Sequence, residues 1–358
     1  MSSSDMIVMI PREGNEAVGE RLYSVLSYAL SGLSFDAVYT TEELLNLLKK
    51  EREHKRILFV LSLGLTGINL EYCRLIRMLR EHEALLEGYT GGVLAEGGGD
   101  LYTKSAAAEL VFTANSAGCT FVGKPLVEGT GTLHNFTIIA QNMETDLMTA
   151  YMKCAAQLVR SVLDFELPDT GSPRLLVLHA SSHETSNTFA LWQKVREGLT
   201  GFEITEIGLR NGTLSDCSGC PYRMCLHYGE QGSCFYGGVM VEDVYPAVKE
   251  ADAVLMLCPN YNDSLSANLT AFINRLTALF RTSQFNKKAL YAIVVSGYSG
   301  SDIVARQLIC ALNMNKAFYL PGHFAMLETA NNAGAAVKLP GIEARIQDFC
   351  GRILKLSR

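Results

Sequence analysis

The sequence lacks the features that mark several large classes of protein. No apolar run reaches the roughly 18 residues that a membrane-spanning helix needs. The first ten residues, MSSSDMIVMI, contain no basic stretch and no long apolar one, which argues against a signal peptide. Positive charge is not in excess, because 31 Lys and Arg face 37 Asp and Glu, so nucleic acid and anionic membranes are unexpected partners. We therefore expect a cytoplasmic protein with reduced thiols.

Motifs of several enzyme classes are missing as well. The sequence contains no Gly-x4-Gly-Lys-Ser/Thr phosphate loop, no recognisable Ser–His–Asp catalytic triad and no pair of carboxylates spaced for acid–base catalysis. Hydrophobic residues make up 48% and charged residues 19% of the 358 positions. This composition indicates a globular protein of about two domains.

Ten cysteines are present, and four of them are crowded into one polar segment. Cys217, Cys220, Cys225 and Cys234 follow the spacing Cys-x2-Cys-x4-Cys-x8-Cys among Gly, Ser, Pro, Tyr and Asp residues, a composition typical of loops. The other six lie in apolar patterns typical of buried core cysteines. Four neighbouring thiolates can hold an iron–sulfur cluster or a zinc ion, or can stay unliganded. The cysteine pattern alone leaves these three possibilities open.

The two halves of the chain repeat one pattern of strands and helices. The apolar segments 6–10 and 56–62 in the first half correspond to 174–180 and 253–258 in the second. The first strands are offset by 169 positions and the third strands by 197, so the second half holds 28 extra residues between its second and third strands. The cysteine segment is that insertion. Alternating strands and helices predict an α/β protein of two tandem doubly wound parallel sheets, with domains at 1–168 and 169–358.

Polar loops follow three strands of the predicted second sheet, at the edge where parallel sheets bind ligands. The first loop runs into a helix near Asn187 and carries hydroxyls at Ser181, Ser182 and Ser186. Hydroxyls and backbone N–H groups at a helix N-terminus form an anion site that suits a phosphate. The same residue types also make an ordinary helix cap, which is the alternative interpretation.

The other two loops combine aromatic rings with small polar residues. Their candidate residues are Pro259, Asn260, Tyr261, Asn262, Ser296, Gly297 and Tyr298. A plain turn has a similar composition, so neither loop is decisive by itself. A phosphate site, an amide-rich ledge and a Gly/Tyr loop on one sheet edge together suit flavin mononucleotide (FMN).

These motifs resemble those of the flavodoxin-like NAD(P)H-dependent FMN reductase family. The family's phosphate loop, Gly-Ser-Pro-Arg-x-x-Ser-Asn-Thr, is matched at Ser181, Ser186, Asn187 and Thr188, and departed from at Ala180, Ser182 and His183. Its second loop and the following helix are matched at Pro259, Tyr261, Ser266, Leu269, Phe272 and Arg275. The cysteine segment is similar to that of the iron–sulfur flavoprotein branch, whose motif holds a [4Fe–4S] cluster. That motif usually reads Cys-x2-Cys-x2-Cys-x4–7-Cys, so both later gaps are longer here.

The resemblance implies two tandem flavodoxin-like domains and an enzyme, an FMN-dependent oxidoreductase that moves electrons between a donor such as NAD(P)H and an acceptor. It implies that the phosphate is held by Ser181, Ser186, Asn187 and Thr188, with Ser182 a further cofactor-binding candidate. The isoalloxazine would lie between the 259–262 loop and the 296–298 loop, and the four cysteines would hold the cluster, or alternatively zinc. Because the flavin performs the transfer, no side chain need act as a nucleophile. The alternatives are an electron-transfer carrier without a pyridine-nucleotide site and a zinc-stapled binding module.

The first half keeps the architecture without the loop chemistry. Its first loop, residues 11–15, carries an acid and no hydroxyl, and the loop SLGLTGIN after its third strand lacks the Pro/Tyr pair. We expect this half to bind no flavin and to act as a built-in dimer partner, with His134 a candidate contributor to the site. The partners would be small-molecule or protein electron donors and acceptors, and the internal pseudo-dimer could stand alone or form a homo-oligomer.

Overall fold

The computed structural model describes residues 4–12, 19–50, 53–181 and 186–357. The chain divides into two compact units, one formed by Met1–Glu166 with Pro321–His323 and the other by Leu167–Leu320 with Phe324–Arg358. Each unit contains one five-stranded parallel sheet. Among the helices of the described ranges, none has both the length and the apolar character needed to cross a membrane.

The first unit alternates strands and helices along its length. Its strands are β1 (Met6–Met9), β2 (Phe35–Val38), β3 (Arg56–Ser62), β4 (Thr90–Glu96) and β5 (Thr120–Gly129). Its helices are α1 (Glu20–Ala29), α2 (Thr41–Leu48), α3 (Leu70–Glu81), α4 (Thr103–Ser116), α5 (Thr137–Asn142) and α6 (Leu147–Leu163). Because helices cover both faces of a parallel sheet, its central strands are continuous apolar runs, and Ile57, Phe59 and Val60 are fully buried.

The second unit repeats this alternation. Its strands are β6 (Arg174–His179), β7 (Glu203–Gly208), β8 (Ala253–Pro259), β9 (Ala289–Ser296) and β10 (Ala325–Thr329). Its helices are α7 (Asn187–Gly198), α8 (Tyr222–Glu230), α9 (Tyr245–Glu250), α10 (Ala267–Phe280), α11 (Ser301–Leu308) and α12 (Ile342–Ile353). A π-helical turn at Met240–Val244 leads into α9, and another at Ile309–Met314 follows α11.

The two sheets share one topology. The first is ordered β2-β1-β3-β4-β5 and the second β10-β9-β8-β6-β7. Counted within each unit, both orders are 2-1-3-4-5, which is the order of flavodoxin-like sheets. The predicted fold class, two tandem flavodoxin-like doubly wound parallel sheets, is therefore confirmed.

The strand register reproduces the internal repeat. Ile7 pairs with Ile57 in the first sheet, and Leu176 pairs with Val254 in the second, which gives the offsets of 169 and 197 positions. The second strands keep the offset of 169, since Phe35 pairs with Met6 and Ile204 with Leu175. The 28 extra residues therefore lie between β7 and β8, where the sequence pattern placed them.

The insertion between β7 and β8 packs along helix α10. Asn268 Nδ2 donates to the Leu209 carbonyl at 2.7 Å, and Asn274 Nδ2 donates to Asp216 Oδ1 at 3.0 Å. Helix α8 comes so close to α10 that a Cβ at Gly229 would lie 2.6 Å from the Ala278 carbonyl oxygen. One helix thus supports both the loop after β8 at its start and the cysteine segment along its length.

Candidate functional site

Four loops meet at the carboxyl edge of the second sheet, where ligands bind in folds of this topology. They follow β6, β8, β9 and β10, which are neighbours in the sheet. The strand order reverses between β6 and β8, so the loops after these two strands flank the topological switch point. The sequence prediction found the first three loops and missed the fourth, residues 330–336.

The loop after β6 ends in a capped helix. Ser186 is the N-cap of α7, and its Oγ accepts a hydrogen bond from the Phe189 N–H at 3.3 Å. The same hydroxyl lies 2.8 Å from Thr188 Oγ1, and Thr188 is buried. Ser181 Oγ is buried and has no hydrogen-bond partner among the described residues. Ser182 and His183, both departures from the family motif, lie outside the described residues.

Asn187 uses its side chain to hold the loop after β10. Its Nδ2 lies 3.1 Å from the Ala330 carbonyl and 2.9 Å from the Asn332 carbonyl, and its Oδ1 accepts from the Ala336 N–H at 3.2 Å. The group that remains for an anion is the Asn187 backbone N–H, because the first turn of a helix leaves its N–H groups without carbonyl partners.

The loop after β8 is a tight turn with a polar anchor. Tyr261 and Ser264 exchange two backbone hydrogen bonds of 3.1 Å, and the residues between them, Asn262 and Asp263, have φ of 54° and 56°. This is the geometry for which Asn and Asp are suited. The Asn260 Nδ2 lies 2.9 Å from Ser296 Oγ, 3.0 Å from the Ser299 carbonyl and 3.2 Å from Asp263 Oδ1. Asn260 therefore ties the loops after β8 and β9 together.

Two exposed aromatic rings stand on these loops. Tyr261 is 55% exposed and Tyr298 is 82% exposed, and the Tyr298 hydroxyl accepts from Asn331 Nδ2 at 3.1 Å. A Cβ at Gly297 would lie 3.1 Å from Asn331 Oδ1, so the loops after β9 and β10 are in close contact. Ser296 is fully buried, and its hydroxyl contacts Asn260 and Ser301, which gives it a supporting position.

The polar atoms of this edge fit a phosphorylated, hydrogen-bonding ligand. Ser181 Oγ and Asn260 Oδ1 are buried and lack hydrogen-bond partners within the described ranges. They follow β6 and β8, the two strands at the switch point. Buried polar atoms without partners are costly, so their presence on one edge favours a ligand that bonds to them. The predicted residues Ser181, Asn187, Pro259, Asn260 and Ser296 thus lie on adjoining loops of this edge.

Gly300 allows the loop after β9 to approach Asn260. Its φ is 88°, and a Cβ there would collide with Asp263 Oδ1 and lie 2.9 Å from Asn260 Nδ2. We expect Gly300→Ala to weaken binding of FMN, the ligand that the resemblance implies, about tenfold, because the new methyl group adds left-handed strain of about 1–2 kcal/mol and pushes against the side chains of Asn260 and Asp263. FMN fluorescence quenching measures this affinity. The control is Gly201→Ala in the α7–β7 turn, where φ is 81° but no atom lies within 4 Å. An equal loss of FMN affinity in both variants would contradict the assignment.

The corresponding edge of the first unit carries two carboxylates, each paired with a cation. Glu96 ends β4, and its carboxylate lies 3.3 Å from Arg21 Nε and 3.4 Å from the Tyr151 hydroxyl. Burial raises the pKa of Glu96, and Arg21 and Tyr151 oppose that shift. Glu128, near the end of β5, accepts from Thr103 Oγ1 at 2.9 Å. Lys104 Nζ lies 3.4 Å from Glu128 Oε1, so Arg21 and Lys104 are each engaged by a carboxylate.

Arg12 and His134 are further candidates of the first unit that the structure describes. The Arg12 guanidinium stacks on the ring of Tyr39, with its Cζ 3.6 Å from the ring centroid. Glu13, Gly14 and Asn15, from the predicted first loop, lie outside the described residues. His134 is exposed and begins a short 3-10 turn.

All four clustered cysteines line one cavity of about 150 Å³ in the second unit. Cys217 is exposed, the other three are half-buried, and none forms a disulfide. Cys225 lies on α8, whereas Cys217, Cys220 and Cys234 lie on the loops around that helix. His227 is not part of the lining of this cavity. Its Nε2 lies 3.2 Å from Gln231 Nε2.

The cavity wall is aromatic and cationic. Phe235 contacts both Tyr228 and Tyr236 edge-to-face, and the Cys220 thiol lies 3.9 Å from the Tyr236 hydroxyl. Arg275 and Arg281 of the α10 side also line the cavity. The pKa of Tyr245 is raised, mainly by burial and next by the nearby Cys234. This donor set of four soft thiols beside two guanidinium groups suits an anionic thiolate-ligated centre.

The four cysteines share one cavity. Across the described ranges, no three His, Cys, Asp or Glu side chains are placed to hold a single metal ion. A zinc ion brings four sulfurs to about 2.3 Å from one centre, whereas an iron–sulfur cluster separates its ligands by its own bulk. Four thiols on one cavity are compatible with either group.

The two candidate sites lie at different points along α10. The helix begins at Ser266, its N-cap beside the loop after β8, and its cavity-lining residues run from Asn274 to Arg281. At about 1.5 Å per residue, the cavity starts about 12 Å along the helix from that loop. The cysteines lie in the unit that carries the flavin-type loops, as predicted. The cavity that they line is separated from the loop after β8 along α10.

Comparisons with known proteins agree with this picture in the second half. Residues 173–332 match the family model of NADPH-dependent FMN reductase. An iron–sulfur flavoprotein of Archaeoglobus fulgidus is 29% identical over 126 residues, which are 34% of this chain and 62% of that protein, so the match spans less than two thirds of the relative.

Solved structures that are similar to the chain include an azoreductase from Bacillus anthracis and an NAD(P)H:quinone oxidoreductase from Methanothermobacter marburgensis. The azoreductase is 15% identical, with 51% of this chain and 98% of that chain covered and a TM-score of 0.39. The quinone oxidoreductase is 13% identical, with 52% and 96% covered and a TM-score of 0.38.

Proposed function

We propose that the protein is an FMN-dependent oxidoreductase that takes electrons from NAD(P)H. The observation that carries this proposal is the site at the switch point of the second sheet. There a hydroxyl-capped helix and two buried polar atoms, which have no hydrogen-bond partner among the described residues, occupy the segment that matches the FMN reductase family model. The bound flavin would supply hydride and single-electron transfer. The side chains would bind and orient it.

The phosphate would sit at the start of α7. Ser181 Oγ, the backbone N–H groups of the first turn and the Ser186–Thr188 hydroxyl pair are the donors available there. The positive end of the helix dipole favours the negative charge. Asn187 would contribute by holding the loop after β10 in place, because its side chain bonds to that loop.

The ring system would lie between the loops after β8 and β9. Tyr261 and Tyr298 are exposed there, and Asn260 Oδ1 is an acceptor without a partner in the described ranges. Pro259 and Asn262 shape the turn that presents Tyr261, and Gly297 permits the close contact with Asn331. Ser296 would act through Asn260 and would not touch the flavin.

The cysteine cavity would hold a [4Fe–4S] cluster that relays single electrons to or from the flavin. The four thiols on one cavity and the absence of a disulfide among them support this assignment. The first unit would bind no flavin, because Arg21 and Lys104 at its corresponding edge are engaged by Glu96 and Glu128, and it would serve as an internal dimer partner. The acceptor is a small molecule or a redox protein, and the chain works alone or as a homo-oligomer.

Steady-state kinetics tests the activity. The anaerobically purified full chain, reconstituted with FMN, should oxidise NADPH or NADH with ferricyanide or a benzoquinone, at turnover on the order of 1–10 per second. Protein stripped of FMN is the control and should be inactive. A flavin-loaded protein that oxidises neither nucleotide with either acceptor would instead support an electron carrier.

A further inference from the structure

Besides its four cysteines, the cavity contains a buried positive charge that forms no ion pair with a carboxylate of the described residues. Arg275 is only 2% exposed. Its Nη1 donates to the Ser215 carbonyl at 3.3 Å, and its Nη2 donates to the Gly237 carbonyl at 2.7 Å. Its Nε is buried without a hydrogen-bond partner within the described ranges. Both partners of the guanidinium are therefore neutral carbonyls of the cysteine segment.

A second guanidinium lies on the same wall. Arg281, at the end of α10, stacks on Tyr222, with its Cζ 4.4 Å from the ring centroid. Its Nε is also buried and unbonded in the part of the chain that is described. Neither Arg275 nor Arg281 forms an ion pair with a described carboxylate within 4.0 Å. The acid beside Cys217 is Asp216, and its carboxylate accepts hydrogen bonds from the Cys217 N–H and from Asn274 Nδ2.

Burying a cation without a counter-ion is unfavourable, so this arrangement calls for an anion in the cavity. A [4Fe–4S] cluster with four thiolate ligands carries a charge of about −2, and one-electron reduction makes it about −3. Nearby fixed positive charge stabilises the more negative form more strongly. Two guanidinium groups on the wall would therefore favour the reduced cluster.

We propose that Arg275 and Arg281 act as charge-setting residues that raise the reduction potential of a cluster bound by Cys217, Cys220, Cys225 and Cys234. This inference rests on the proposed function, since it requires the cluster. The step is a one-electron reduction in which reduced FMN is the donor and the cluster is the acceptor. The potential decides whether that electron moves to the cluster or stays on the flavin.

The test is a redox titration of the holoprotein, monitored by electron paramagnetic resonance. Arg281→Gln removes one charge without removing a backbone hydrogen bond, and it should disfavour cluster reduction about tenfold, which is 59 mV for one electron. Arg281→Lys keeps the charge and should restore most of the potential. Arg275→Gln should also lower the reduction potential of the cluster. The iron content of this variant shows separately whether the contacts of Arg275 with Ser215 and Gly237 are needed for cluster assembly.

The control is Arg223→Gln, which removes the same charge from an exposed position on α8 outside the cavity wall. Solvent and salt screen that charge, so the equilibrium constant for reduction of the cluster should change less than twofold. A potential in Arg281→Gln equal to that of the wild type, with full iron content, overturns the inference and leaves the proposed cluster in place. Wild-type protein that acquires neither iron nor sulfide on reconstitution overturns both.

Discussion

Replacing Ser186 by Asp should abolish FMN binding while the second unit stays folded. Ser186 caps α7 through its bond to the Phe189 N–H. Asp caps helices as well as Ser does, so the helix keeps its first turn. The new carboxylate, however, would stand where the phosphate is proposed to bind. Two charges about 4 Å apart near a protein surface repel by up to about 4 kcal/mol, so we expect a loss of affinity on the order of 100-fold.

The matched control for this variant is Ser186→Asn. Asn is also a good N-cap and has almost the shape of Asp, but it carries no charge. Its FMN affinity should stay within about tenfold of the wild-type value. Calorimetric titration of each apoprotein with FMN gives the affinities, and thermal unfolding verifies that both variants fold. If Ser186→Asp binds FMN as tightly as Ser186→Asn, the phosphate does not bind at the start of α7.

The second large effect is expected at the cysteines. Cys225→Ser should remove nearly all of the iron–sulfur cluster, because the hydroxyl is a far weaker ligand for iron than a thiolate. FMN should stay bound, since the cavity begins about 12 Å along α10 from the flavin loops. Iron and sulfide analysis together with the flavin content measures both quantities in one sample.

Cys73→Ser is the control for Cys225→Ser. Cys73 is exposed on α3 of the first unit, and its replacement should leave the iron content unchanged. Equal iron content in Cys225→Ser and wild-type protein would remove Cys225 from the ligand set. Loss of both FMN and iron in Cys225→Ser would indicate that the segment supports the whole unit.

The sheet architecture was predictable because its central strands are apolar runs. Helices cover both faces of β3 and β8, so nearly every residue of these strands is hydrophobic, and the two runs are recognisable in the sequence. The offset between them located the insertion before any contact was known. These features depend on local composition, which a sequence pattern records directly.

Strand β10 and the loop after it were not predictable in this way. The matching pattern in the second half ended at Tyr319, which forms only an isolated bridge with Ala289, and the paired strand starts at Ala325. Between them the backbone adopts a positive φ at His323, as it does at Lys124 in the first half. A side chain such as His323 gives little local signal of such a turn, because tertiary contacts fix it.

Two details of the candidate sites also depended on tertiary structure. Asn187 matched the phosphate motif, yet its amide bonds to residues more than 140 positions later in the chain, which no local pattern reveals. Helix α8 lies in a segment whose Gly and Pro residues favour loops. It is supported by close packing against Ala278 of α10, and tertiary packing of this kind overrides local propensity.

The cofactor content of the full chain, purified without oxygen, tests the proposed function most directly. An absorbance spectrum with FMN, iron, sulfide and zinc analysis gives the answer in one preparation. We expect flavin bands over broad iron–sulfur absorbance, with about one FMN and about four iron atoms per chain. A colourless protein that contains stoichiometric zinc and no flavin would contradict the account.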